Sequence, residues 1–96
     1  MVQNIITLKQ KILPILRKNK VIKAGIFGSY ARNKQKKNSD IDIIVDMKGS
    51  LLDLSGLKID IEEKLHQKVD LITYKSIHPL LLKRIFQEEI RIYGKR

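Results

Sequence analysis

The chain has no cysteine and no tryptophan, and only two prolines and five glycines among its 96 residues. Without cysteine, disulfides and thiolate–metal sites are excluded, and a reducing compartment, the cytoplasm of a bacterium or archaeon, is the expected setting. No apolar run approaches the roughly 18 residues that a membrane-spanning helix needs. A signal peptide is not expected either, because Lys9, Gln10 and Lys11 interrupt the first apolar stretch. Aromatic residues make up 5% of the chain, and Tyr30, Tyr74 and Tyr93 are too scattered to suggest a stacking platform for single strands. His66 and His78 lack metal-ligand or catalytic spacing and read as structural or surface residues. Carboxylates are scarce as well: ten face twenty Lys and Arg, a net charge of +10.

That imbalance draws a protein towards polyanions, whether nucleotides, nucleic acid or an acidic partner. Lysine is spread along the chain, so a solvated basic surface accounts for the total charge equally well. Apolar residues form 43% of the sequence, enough for the core of one small domain spanning 1–96 and too little for a second lobe.

Ile5, Leu8, Ile12, Ile15 and Leu16 recur at three- and four-residue spacing and predict an amphipathic helix with a kink at Pro14. Residues 21–27 read as a strand ended by Gly28, and 42–47 as a second. Ser50 and Asp53 match a capping box that opens a helix bearing Leu54, Leu57, Ile61 and Leu65, weakened by Ser55-Gly56. A third strand is predicted at 68–74. A third helix follows Ser76 and Pro79, carrying Leu81, Leu82, Ile85 and Phe86, and 90–94 forms a short tail strand. This order predicts an α+β fold, a small mixed β-sheet with helices packed on one face and the other face open.

The chemistry gathers at strand ends. Gly28-Ser29, closing the first strand, is the kind of turn that points backbone N–H groups outward and suits phosphate oxygens. Alone it is an ordinary turn, with neither a Walker A loop nor a dinucleotide fingerprint around it. Asp40-Ile41-Asp42 places two carboxylates about 6.6 Å apart on one face if the strand includes both. Such a pair can hold divalent ions of the kind that assist phosphoryl and nucleotidyl transfer. It is equally what a strand shows when Ile41, Ile43 and Val45 face a core and aspartates face water. Against that plain reading, aspartate is a poor strand former, and like charges side by side are unfavourable without a cation.

Asp46 shares the parity but lies about 13 Å beyond Asp42, too far to share an ion with Asp40. Asp70 alternates with Val69 and Leu71 in the third strand and can reach the same site if that strand pairs with the second. The dozen-residue connection predicts antiparallel first and second strands, which brings Gly28 near Asp42. Arg32 reads either as a phosphate ligand or as a support for the turn. Lys34, Lys36 and Lys37 read as a solvated run or as a steering patch beside it.

"GSYAR" followed by "SDIDIIVD" resembles the nucleotidyltransferase superfamily that includes DNA polymerase beta, in particular its minimal single-domain branch. Gly28, Ser29, Asp40, Asp42 and Asp70 fall on the family pattern in order, and the likeness spans essentially the whole chain. It implies that Gly28 and Ser29 hold the triphosphate of ATP and that Asp40 and Asp42 bind two Mg²⁺ ions. Asp70 would complete the metal site and could serve as base for the acceptor hydroxyl. Members of this branch are commonly antitoxins paired with HEPN-type RNase toxins, and some transfer AMP to a toxin tyrosine. Asn33 departs from the pattern, standing where such proteins usually have glycine after Ala31-Arg32; asparagine tolerates the left-handed conformation.

Three functions then compete. One is a protein adenylyltransferase antitoxin. Another is a catalytically silent antitoxin that binds its partner by contact alone. The last is a basic nucleic-acid-binding module or RNA-end nucleotidyltransferase, disfavoured because the chain lacks a polynucleotide-gripping domain and any known RNA-binding motif. A homodimer is also compatible with apolar residues on the last helix.

Overall fold

A computed structural model describes residues 4–36 and 39–94. Lys37, counted in the basic run, lies outside the described residues. Helix α1 (Ile5–Lys18) starts at Asn4, whose side chain accepts the Thr7 N–H, and continues through Pro14 without a break. Pro14 is exposed, so the carbonyl one turn back, left without its amide partner, can turn to water. Leu8, Ile12 and Leu16 form its buried stripe.

Strands β1 (Val21–Phe27), β2 (Ile41–Met47), β3 (Val69–Thr73) and β4 (Ile90–Tyr93) make one sheet in the order β3-β2-β1-β4. β1 runs antiparallel to β2 and β4, and β2 runs parallel to β3. The parallel pair requires a crossover, which helix α3 (Leu51–Leu65) supplies. β1 leads directly into a single helical turn, α2 (Gly28–Ala31), on the way to β2. Strand alternation sends Ile41, Ile43 and Val45 of β2 into the core beside Leu57, Ile61 and Leu65 of α3 and the α1 stripe. Each fully buried aliphatic side chain contributes about 1.5–3 kcal/mol of transfer free energy, so this face dominates stability.

The last helix behaves differently. After a 3₁₀ turn (Tyr74–Ser76), α4 (Pro79–Glu88) supplies no buried residue, and Leu80 and Leu81 are exposed. It meets the rest of the fold where Phe86 stacks on Tyr74, ring centroids 5.2 Å apart. The two histidines prove to be caps. His66 ends α3 in the left-handed region, and His78 Nδ1 accepts the Leu80 N–H at the start of α4. Among the described residues, no helix is long and apolar enough to cross a membrane.

Despite Gly56, α3 runs its full length from a reciprocal capping box: the Ser50 hydroxyl accepts the Asp53 N–H while the Asp53 carboxylate accepts the Ser50 N–H at 2.8 Å. Ser50→Ala is expected to lower stability by about 1 kcal/mol in urea unfolding, with the slope unchanged.

Candidate active site

The first strand ends at Phe27, and the chain turns at Gly28, whose φ of 72° is accessible to few other residues. The turn closes on itself, the Arg32 N–H donating to the Gly28 carbonyl at 3.1 Å and the Lys34 N–H to the Ser29 carbonyl at 2.8 Å. Asn33 takes the left-handed conformation at φ 56°, as its residue type allows. The amides that open such a turn have no acceptor within it and are available to a ligand. Tyr30, 3% exposed, anchors the turn from behind: its hydroxyl accepts Gln67 Nε2 at 3.0 Å. This anchoring role was not visible in the sequence, because Gln67 lies 37 positions away.

The strand register then assembles the carboxylates. Phe27 pairs with Asp42 across the antiparallel ladder, and Asp42 pairs with Asp70 across the parallel one. The Ile41 N–H donates to the Lys68 carbonyl, and Glu62 on α3 accepts the Val69 N–H at 2.9 Å, so the register has support from both sides. Asp40 precedes β2 in an exposed segment shaped by reciprocal hydrogen bonds between Lys36 and Ser39. Gly28 and Asp42 are in close apposition: a Cβ placed on Gly28 would lie 2.2 Å from Asp42 Oδ2. The expected meeting of turn and carboxylates, and the pairing of β3 beside β2, are both found. Asp46 stands apart, paired in register with Lys23.

Electrostatics single out Asp42. Burial, then the charges of Asp70 and Asp40, push its pKa above the ordinary carboxylate value, and Arg32 only partly offsets them. Among the described residues no ion pair neutralises Asp40, Asp42 or Asp70; Arg32 instead approaches Glu88, Nη1 to Oε2 3.9 Å. Asp42, crowded by the charges of Asp70 and Asp40, is part of a donor set suited to a hard divalent cation. No three His, Cys, Asp or Glu side chains among the described residues form a ready cage. Mg²⁺ does not require one, since it is commonly held by one or two carboxylates and completed by water and substrate phosphates. The residues therefore fit the ion.

Because the folded state favours protonated Asp42, this group stabilises the fold below the unfolded carboxylate pKa and loses that contribution as pH rises through the folded value. Asp42→Asn is therefore expected to melt a few degrees higher than wild type at neutral pH in EDTA, the gain fading below about pH 4. Added Mg²⁺ should raise the wild-type melting temperature more than that of the variant.

Comparison with known proteins shows the family. The family described as "Polymerase beta, Nucleotidyltransferase" matches residues 10–96. A relative from Methanocaldococcus jannaschii, named as a candidate protein adenylyltransferase, is 56% identical over 91 residues, covering 93% of this chain and 98% of the relative. A solved toxin–antitoxin complex with AMP-PNP contains a chain 28% identical, TM-score 0.79, matched over 92% of this chain and 74% of its own. A second, of a tri-AMPylated Shewanella oneidensis HEPN toxin with its minimal nucleotidyltransferase antitoxin, gives 25% identity, TM-score 0.71 and coverages of 93% and 71%. With a family match running from residue 10 to the end of the chain, over the glycine turn and all three aspartates, this protein belongs to the polymerase-beta-like nucleotidyltransferases.

Proposed function

We propose that this chain acts as a single minimal nucleotidyltransferase domain, an antitoxin that moves AMP from ATP to a tyrosine hydroxyl of a HEPN-type toxin. One observation carries the reading: the Gly28-Ser29 turn lies directly against Asp42, which is itself in register with Asp70. A phosphate cradle and a carboxylate cluster thus share one small gap.

In this reading the amides of the Gly28-Ser29 turn hold the triphosphate, with Arg32 as a further phosphate ligand. Asp40 and Asp42 hold two Mg²⁺ ions, and Asp70 completes their site. The ions, when bound, neutralise phosphate charge and favour departure of pyrophosphate. Asp70 accepts the proton of the acceptor hydroxyl as its oxygen bonds to the α-phosphorus and the bond to pyrophosphate breaks. The basic run at Lys34 and Lys36, both exposed beside the turn, draws the nucleotide in. A toxin as substrate fits the AMPylated HEPN toxin seen with a similar protein, and use of ATP fits a cytoplasmic setting. The AMP-PNP complex and the AMPylated HEPN toxin of similar proteins support the nucleotide and the partner.

The test combines ATP labelled at the α-phosphate, Mg²⁺ and a HEPN-domain protein co-expressed with this chain. Wild type should label the toxin on tyrosine, whereas the double variant Asp40→Asn, Asp42→Asn and a γ-label control should not. Equal toxin neutralisation by wild type and the double variant, without label transfer, would show a silent binding antitoxin instead. Gly28→Ala should lower transfer by about a hundredfold, since the new methyl displaces the Asp42 carboxylate.

A further inference from the structure

On the sheet face opposite the core lies a second polar cluster. Glu89, the residue that caps α4, is 7% exposed. Its carboxylate accepts the Tyr74 hydroxyl, at 3.0 Å to Oε1 and 2.8 Å to Oε2, and Arg91 Nη2 at 3.2 Å. Space for it exists because β1 carries glycine at 25; a Cβ there would lie 1.7 Å from Glu89 Oε2. Gly25 pairs with Ile44 on one side and Arg91 on the other. The carboxylate therefore rests on the same face as Asp42, two positions along β2.

Tyr74 in turn stacks on Phe86, and Lys23 Nζ lies 4.8 Å from the Tyr74 ring centroid. Burial and the Glu89 carboxylate push the Tyr74 pKa far above its usual value, so the hydroxyl remains a donor. A buried carboxylate is costly unless fully partnered, and a surface helix with no buried residue of its own has little else to hold it. The cluster thus takes the place of core packing for α4.

The residue before this anchor is Glu88, and its carboxylate faces Arg32. Arg32 caps the α2 turn and also has Asp42 within electrostatic reach. Glu88 thus reaches Arg32 at 3.9 Å through Oε2 while its Oε1 meets Arg84 of the same helix at 3.4 Å, and Arg32 also acts on the charge of Asp42, a proposed metal ligand. We propose that Glu88 and Glu89 are positioning residues: buried Glu89 pins the end of α4 to the sheet, so that Glu88 holds Arg32 at the rim of the site instead of on Asp42. Asp42 is thereby left open to Mg²⁺, and Arg32 is left at the rim to meet phosphate. The Arg32–Glu88 pair is solvent-exposed and contributes little to folding stability, so its loss should register in nucleotide binding more than in melting temperature.

This inference rests on the nucleotidyltransferase reading above, and its test keeps the two separable. Calorimetric titration with AMP-PNP would be run at limiting and at saturating Mg²⁺ on wild type and on the variants Arg32→Ala, Glu88→Gln and Glu89→Ala. Glu88→Gln and Glu89→Ala should each weaken binding about three- to tenfold at limiting Mg²⁺, with partial recovery at saturation. Neither should weaken it further in an Arg32→Ala background. Glu89→Gln, which keeps an oxygen for the Tyr74 hydroxyl, should lose less than Glu89→Ala. If Glu89→Ala does not fold, Glu88→Gln decides, since its side chain lies at the surface. Wild-type affinity in Glu88→Gln, or losses that persist without Arg32, would overturn the proposal. Wild type that binds no AMP-PNP with Mg²⁺ would overturn the nucleotide reading itself. Wild type that binds while Arg32→Ala changes nothing would overturn this inference alone.

Discussion

Two aspartates facing each other across parallel strands, beneath a glycine that leaves no room for a side chain, form the constraint on which this molecule turns. Asp42 and Asp70 share a register position, and Gly28 approaches Asp42 so closely that only hydrogen fits between them. The arrangement is unfavourable in isolation, because burial and two neighbouring charges oppose ionisation of Asp42. A fold retains such repulsion where a ligand relieves it, and local destabilisation of this kind is common at functional sites.

The remainder of the architecture makes that repulsion tolerable. One sheet face is packed with α1, α3 and Val21, Ile26, Ile41, Ile43 and Val45 of β1 and β2, which concentrates stability away from the site. β2 is an interior strand, bonded to β1 on one side and β3 on the other, so Asp42 is carried on one of the most constrained backbones in the molecule. The glycine turn is likewise fixed from behind by the Tyr30–Gln67 hydrogen bond. Rigid elements thus hold both halves of the site, as a reaction that depends on positioning demands.

The opposite face is more economical. In place of a second apolar layer it has Glu89 among Tyr74, Arg91 and Gly25, with α4 attached at its edge. α4 keeps Leu80 and Leu81 exposed while its end reaches Arg32. The side of the molecule that carries the aspartates is therefore shaped by polar contacts, where single substitutions can change geometry without unfolding the core.

Much of this was legible from residue order. Period-3.6 spacing placed α1 and α3, short apolar runs placed β1 and β2, and the Ser50/Asp53 pair marked a helix start, because each depends on neighbours within one or two turns. The Gly-Ser turn and the Asp-x-Asp element were readable for the same reason, their chemistry being local. The sequence by itself therefore determined the main helices and strands and the family pattern, and it named the candidate site residues. Tertiary structure alone decided that Asp42 faces Asp70 over an intervening helix, that Gly28 lies against the Asp42 carboxylate, and that Tyr30 is tied to Gln67. It also decided that a glycine in β1 makes room for a carboxylate 64 residues later (89 minus 25). Those relations join residues far apart in the chain, and only strand register and helix packing, set by burial of the core, bring them within contact.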